Sequence, residues 1–468
     1  MSAKPNVLLI SIDTLRADHV SCYGYERPTT PSLDALAADG TRFAHAYSPA
    51  GWTPPAHASM LTGLFPTQHG AVDENRLHDE VPTVAEILAG AGYRTCGVVN
   101  NSQVGALVGL DRGHHDFHEV WKGHGSKSIV KRGTSFLGRK IRRFLGREDK
   151  GVGASNRIVR EWWAAHAGKD ASFYTFIHYI EPHNPIQPPR AFRKRFGSAG
   201  PGIDHSKMVR VLDNPLWCFA DDVELSPEEI RHLVALYDAE IAHLDARLGE
   251  LLAFMKQRGL YDDTLIIVTA DHGEHFGEHG MYSHVASLYE PVVHVPLIVK
   301  WPRGATGPAV RDELVQLTDI VPTILEVAGV PAPHQDKLFG KSLTAHRGPV
   351  GHEFIAAEWE GRIPFFLRRT LGESRAEEKV GEFKKPFRMI REGRYKYISR
   401  YGDRVELYDL ESDPGENINL ADRETTIAEA LGQKLDRWKE SARAHTPEKV
   451  EQAMDDEVRR HLEKLGYL

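Results

Sequence analysis

Three cysteines in 468 residues, Cys22, Cys96 and Cys218, are widely spaced and form no C-x-x-C pair. That scarcity gives no support to a disulfide framework or a zinc ribbon, and the three read as ordinary reduced thiols. Long apolar runs are missing too. The first apolar stretch, Val7 to Ile12, closes on Asp13 and is too short for the core of a secretory signal or for a membrane span. A cytoplasmic location is therefore expected. Positive charge is not in excess: the formal net charge is −7, so the chain as a whole carries no footprint for nucleic acid, which needs a basic domain or stripe. No internal repeat or low-complexity tract occurs.

What is present has the balance of a soluble globular chain. Hydrophobic residues make up 41% and charged residues 26%, enough apolar material for a packed core. The length allows one large domain with an appendage, or two or three ordinary domains. Short, nearly continuous apolar runs at Val7 to Ile12, Thr95 to Val99, Phe173 to Tyr179, Thr264 to Thr269 and Val295 to Trp301 predict strands buried on both faces. Helical patterns lie between them, at Ser32 to Ala38, Thr83 to Ala91 and Pro227 to Arg258. This alternation predicts an α/β domain over residues 1–348, a large mainly parallel sheet sandwiched by helices. Residues 349–468 change character. Phe387 to Ile390, Tyr395 to Ile398 and Val405 to Tyr408, separated by glycine-containing turns, predict a small antiparallel sheet, followed by a charged helix over Thr425 to Ala442 and a mixed tail.

One stretch stands apart in charge. Residues 122–150 hold ten cations, Lys122, Lys127, Lys131, Arg132, Arg139, Lys140, Arg142, Arg143, Arg147 and Lys150, against Glu148 and Asp149. Leu137, Ile141, Phe144 and Leu145 fall among them at helical spacing. Such a basic amphipathic segment reads either as a solvated helix on the domain's flank or as a contact for an anionic substrate or membrane surface.

In an open parallel sheet, ligands bind beyond the carboxyl ends of the strands. Four apolar runs lead there into polar residues: Asp13-Thr14, Asn100-Asn101, Glu181 to His183, and Asp271-His272. If the strands are neighbours, two carboxylates, an imidazole and an amide gather on one edge, a mixed oxygen and nitrogen metal site. An aspartate at a strand end is also a common turn former or helix cap. The adjacent acid and imidazole of Asp271-His272 are less easily explained by packing. In the stretch Trp52 to Gly63, Thr53 followed by Pro54 and Pro55 predicts a helix N-cap with proline in the first turn and Gly63 at the far end. Free backbone N–H groups near Thr53 would then form an anion hole, with His57 one turn further along the same face.

These residues and their order resemble the type I sulfatase family of the alkaline phosphatase superfamily over nearly the whole chain. The segments that carry the resemblance are Pro5 to Asp13, Tyr23-Gly24, Thr29 to Asp34, the Thr53 stretch through Leu61-Thr62-Gly63, Gly92 to Thr95, Pro182 to Pro185, Thr269 to Glu274, Gly277 to Gly280, Ser287 to Glu290 and Val295 to Ile298. Glu406 to Leu410, Asp413-Pro414 and Asn419-Leu420 resemble the family's small domain. The departures bear on function. Sulfatases carry a cysteine or serine, matured to formylglycine, where this sequence has Thr53, and threonine cannot be oxidised to that aldehyde. The family arginine of the same signature is replaced by His57, a second metal-binding aspartate by Thr14, and a lysine by His284. The lysine and histidine of a further family segment fall on Asn100 and Ser102.

The resemblance implies a metal-dependent hydrolase of the threonine-nucleophile kind, without formylglycine, acting on phosphate monoesters or diesters through a phosphothreonine intermediate. It implies one divalent ion (Mn, Zn, Ca or Mg) held by Asp13, Thr53, Asp271 and His272. His57, His183 and His284 are then candidates for contacting substrate or protonating the leaving group, and Asn100 or Asn101 for donating to a non-bridging oxygen. A second ion at His183, Glu181 and His284 is a weaker implication. Transfer to an alcohol acceptor, sulfate or sulfonate ester cleavage without formylglycine, and a non-catalytic binding protein on the same scaffold remain as alternatives. The expected partner is a small anionic ester and not nucleic acid. The charged C-terminal extension offers a surface for a homo-oligomer.

Overall fold

A computed structural model describes residues 4–72, 75–123, 149–168, 171–197, 202–304, 307, 309–332, 339–344, 350–363, 365–400, 404–443, 450–451 and 454–465. Apart from Lys122, Gly123, Asp149 and Lys150, the basic segment lies outside the described residues.

The predicted apolar runs become the interior of an eight-stranded sheet. Asn6–Ile12 is flanked by Phe173–Tyr179 and Thr264–Ala270, both parallel to it. Arg94–Val99 continues the parallel order beyond Phe173–Tyr179. His294–Lys300 is antiparallel to the Thr264–Ala270 and Thr41–Tyr47 strands on either side. Val, Ile and Leu fill these strands because helices cover both faces, so every side chain needs an apolar partner. Val7, Leu8, Leu9, Ile10, Leu265, Ile266 and Ile267 have no exposed surface. The sheet also recruits Thr41–Tyr47, Asp116–Glu119 and Val310–Gln316, polar or alternating segments that the sequence pattern does not mark as strands.

The helices follow the expected punctuation. Pro227–Gln257 begins with a capping box, Ser226 accepting from the Glu229 amide at 3.3 Å and Glu229 from the Ser226 amide at 2.8 Å. These two bonds satisfy donors that the first helical turn leaves unpaired. Thr83 opens Val84–Gly90 in the same way.

The small domain is a four-stranded antiparallel sheet of Phe354–Trp359, Phe387–Glu392, Tyr395–Arg400 and Arg404–Asp409. Helix Thr425–Arg443 lays Leu431, Leu435 and Trp438 against it, and against Phe65 of the large domain. The tail adds a short helix, Asp456–Leu465, whose Val458 and Leu462 join the large domain's core. The two domains are thereby tied at more than one place. Among the described residues, no helix is long and apolar enough to cross a membrane, and all three cysteines are free thiols.

Candidate active site

The carboxyl ends of the two central parallel strands deliver the first ligand candidates. Asp13 follows Asn6–Ile12, its amide bonded to the Tyr179 carbonyl at 3.0 Å. Asp271 and His272 follow Thr264–Ala270. All three are fully buried and offer ligand atoms within 4.8 Å of one another. Asp271 Oδ1 accepts from the amides of Thr14 at 3.2 Å and His272 at 2.9 Å. Asp13 Oδ2 faces Asn101 Nδ2 at 3.2 Å and His178 Nε2 at 3.3 Å. The remaining oxygens, Asp13 Oδ1 and Asp271 Oδ2, have no hydrogen-bond partner among the described residues.

Buried carboxylates this close cannot both stay ionised without a compensating charge. Burial alone would raise Asp13, but the imidazoles of His183, His178 and His272 outweigh it and hold it below the usual carboxylate range. Burial, and then the charge of Asp13, push Asp271 well above that range. A divalent cation fits here on two counts: it would balance the pair and satisfy the two orphaned oxygens. His272 is set up for the same role. Its Nδ1 gives a hydrogen to the Gly273 carbonyl at 2.9 Å, which leaves the Nε2 lone pair facing Thr53 Oγ and Asp271 Oδ2, each at 3.3 Å. A backbone carbonyl behind the ring is the usual support for an imidazole ligand.

Thr53 sits at the head of helix Thr53–Thr62, all of whose residues are buried. The predicted capping is displaced by one residue. Trp52 is the N-cap, and Thr53 is the first helical position. The reason is the Ala56 amide, the donor a Thr53 cap would use, which bonds instead to the Trp52 carbonyl at 3.3 Å. Pro54 and Pro55 have no N–H to give. The expected backbone anion hole is thus not built by positions 54–56. Gly63 closes the helix at φ 76° as anticipated.

His57, one turn along the helix from Thr53, brings its Nδ1 to 3.4 Å from Asp271 Oδ2. Its Nδ1 donates to the Thr53 carbonyl at 2.9 Å and its Nε2 accepts from Ser11 Oγ at 2.9 Å. Burial, with His178 adding to it, holds its pKa down at about 3. This neutral ring positions the head of the helix. His183 donates its Nδ1 hydrogen to the Asn184 carbonyl at 2.7 Å, and its ring centroid stands 5.4 Å from that of His284. The His284 ring is 4.4 Å from His272, with Nδ1 3.3 Å from Glu274 Oε1. Burial lowers His284 to about 4 and raises Glu274 to about 8.

The two asparagines are separated by the turn after Arg94–Val99. Asn101 reaches Asp13, whereas the Asn100 amide holds the Lys150 carbonyl at 2.8 Å. The Asn100 side chain thus holds the strap before helix Val152–His166, and Asn101 stands at the carboxylates. Glu181 takes the Val152 amide at 3.3 Å. Among the described residues, Asp13, Asp271 and His272 form the one group of three suited to an ion, and His183, Glu181 and His284 form no second group. His178 and Glu274 belong to the site although sequence reasoning singled out neither.

Over residues 5–330 the chain matches the family described as Sulfatase, and over residues 277–441 the one described as N-sulphoglucosamine sulphohydrolase, C-terminal. An arylsulfatase of Clostridium perfringens (strain 13 / Type A) is 24% identical over 477 residues, covering 90% of this chain and 91% of that protein. Arylsulfatase K of Homo sapiens is 27% identical over 471 residues, covering 92% and 81%. Among solved structures, the phosphonate monoester hydrolase of Agrobacterium radiobacter shares the fold with a TM-score of 0.73 at 22% identity, over 94% of this chain and 96% of that one. With one match running from the first strand past the Asp271-His272 pair and a second covering the small domain, the chain belongs to the sulfatase family.

Proposed function

We propose that the protein hydrolyses phosphate esters, with Thr53 as the nucleophile and a phosphothreonine intermediate. The observation that carries this reading is the Thr53 hydroxyl, buried at a helix head and 3.3 Å from the Nε2 of His272 in the Asp13, Asp271 and His272 group. Threonine at this position is a competent alcohol nucleophile, and its secondary carbinol cannot yield the aldehyde on which formylglycine chemistry depends. The phosphonate monoester hydrolase that shares the fold acts, by its name, on a phosphorus ester, which supports phosphorus as the reacting centre.

Asp13, Asp271, His272 and Thr53 Oγ would hold the divalent ion, which when bound lowers the hydroxyl's pKa and offsets charge developing on the ester. Thr53 Oγ bonds to phosphorus as the bond from phosphorus to the ester's alcohol oxygen breaks, and the hydroxyl proton ends on the departing alcohol. Water then breaks the phosphothreonine bond and restores the hydroxyl. His57 keeps the helix head in register through the Thr53 carbonyl. His284, its ring 4.4 Å from that of His272, and His183, its ring 5.4 Å from that of His284, are the candidates for carrying the proton.

The family match favours one second reading, cleavage of sulfate esters without formylglycine. Paired assays with phosphate monoester, phosphate diester and sulfate ester of one leaving group separate the two: faster phosphate turnover supports the proposal, and faster sulfate turnover rejects it. Added acceptor alcohols distinguish hydrolysis from transfer by their products.

A further inference from the structure

The turn that carries His272 is held by a stretch that the small domain grips. Gly273 and Glu274, which follow His272, give their amide hydrogens to the carbonyls of Val292 at 2.7 Å and Pro291 at 3.0 Å. The two stretches lie backbone against backbone, since a side chain at Gly273 would come within 2.0 Å of the Pro291 oxygen. Pro291 and Val292 belong to the short helix Glu290–Val293, whose first residue is the hub of a buried ion cluster. Glu290 Oε1 accepts from Lys396 Nζ at 2.9 Å, and Oε2 from the Tyr47 hydroxyl at 2.7 Å. The Glu290 amide donates to Glu416 Oε2 at 2.6 Å, and Glu416 Oε1 stands 2.8 Å from Lys396 Nζ. The Arg391 guanidinium completes the cluster, 4.0 Å from Glu290 Oε2. Lys396 and Arg391 come from two neighbouring strands of the small domain, and Glu416 from the loop beyond its last strand. Lys396 and Glu416 are buried, and charges so placed are costly unless paired. Hydrogen bonds therefore run without a break from these two side chains, through Glu290 and the carbonyls after it, to Gly273, whose own carbonyl takes the His272 Nδ1 hydrogen at 2.9 Å.

We infer that Lys396 and Glu416 are positioning residues for His272, so that the docked small domain is part of what sets the site's affinity for its ion. A ring whose hydrogen-bond acceptor is fixed presents its other nitrogen in one direction, and an imidazole ligand that loses such support binds metal less tightly. Releasing Glu290 frees the carbonyls that pin Gly273, and with them the acceptor behind His272. The inference rests on the reading of Asp13, Asp271 and His272 as the ion's ligands and is independent of the chemistry at Thr53.

The test is titration of the full-length, metal-stripped protein with Co(II), read by competition against a metal-sensitive dye and by the visible absorption of the bound ion. The proteins compared are wild type, Lys396→Met/Glu416→Gln, His272→Ala and the combination of all three changes. Removing one cation and one carboxylate together leaves Arg391 with Glu290, which keeps the buried charge balanced. Co(II) affinity should fall roughly 2–30-fold in Lys396→Met/Glu416→Gln, the range for residues that couple to a site without touching its ligand, with altered visible bands. In the His272→Ala background the same two changes should cause no further loss, because their effect passes through that ring. Leu435→Ala loosens the small domain at a different contact and should lower the melting temperature with Co(II) affinity unchanged. Should the paired variant not fold, Lys396→Gln, which keeps a donor between the two carboxylates, is read against the same His272→Ala background. Unaltered Co(II) affinity in the folded variant overturns the inference, as does an equal loss with and without His272 or in Leu435→Ala. A wild-type protein that takes up no Co(II) overturns it together with the ligand reading. No turnover is read, so failure of the Thr53 chemistry is detected separately, by ester hydrolysis.

Discussion

His272 turns its Nε2 toward the Thr53 hydroxyl, 3.3 Å away, and gives its Nδ1 hydrogen to the carbonyl of its neighbour Gly273. The second bond fixes the tautomer that the first relationship needs, because a lone pair rather than a hydrogen then faces Thr53 and Asp271. His272→Ala should leave a fold that binds divalent metal only substoichiometrically after dialysis, as read by elemental analysis. Full metal retention in that variant would remove His272 from the ligand set.

Asn101 and Asn100 should behave differently despite being neighbours. Asn101 touches Asp13 directly, so Asn101→Ala is expected to weaken metal binding by about 10–100-fold, the usual effect of losing a group behind a metal ligand. Asn100 holds the Lys150 carbonyl, and Asn100→Ala should leave metal affinity intact while lowering the melting temperature. Competition against a metal-sensitive dye measures the first effect and calorimetry the second.

Much of this site was legible because strands buried on both faces are continuous in sequence and end abruptly at their polar residues. Asp13, Asp271 and His272 each stand directly beyond such a run. His178 was not legible, since a single imidazole inside Phe173–Tyr179 reads as a core residue. Its meaning emerges only from register: Ser11 pairs with His178 on one side and Thr269 on the other, a polar row crossing three strands beneath His57. The choice between Asn100 and Asn101 depended on how the chain turns after Val99, which no periodicity encodes. Strands Thr41–Tyr47, Asp116–Glu119 and Val310–Gln316 escaped for a related reason, as they lie toward the sheet's edges and carry polar side chains that central strands exclude.

Glu181 gives the fold a specific pH dependence. Burial raises its pKa from the ordinary 4.5 to about 7, despite the attraction of Lys150. A carboxyl raised in the folded state favours folding fully below its unfolded pKa, and that contribution is lost as pH rises through the folded value. Glu181→Gln should therefore match wild type near pH 4 and be more stable at pH 8, by on the order of 2 kcal/mol. Chemical denaturation of the two proteins at both pH values checks this, and an equal gap at each would refute it.

Thr14 adopts φ 58°, a left-handed conformation that a β-branched residue enters at a cost of roughly 1–2 kcal/mol. Its amide bonds to Asp271 and its carbonyl to Tyr237 at 2.6 Å, and both bonds survive in Thr14→Gly. After the greater chain entropy of glycine is subtracted, a net gain of about 0.5–1 kcal/mol is expected. Metal affinity should not change; a drop would assign the Thr14 hydroxyl to the ion.

The most direct measurement is acid quenching of the metal-loaded enzyme during phosphate ester turnover, followed by mass analysis of the peptide that carries Thr53, with Thr53→Ala run in parallel. Expected are a phosphoryl group on Thr53 in the wild type, and a loss of turnover by about 10³-fold or more in a variant that still binds metal. Turnover at the wild-type rate by metal-loaded Thr53→Ala would contradict the assignment of Thr53 as the nucleophile.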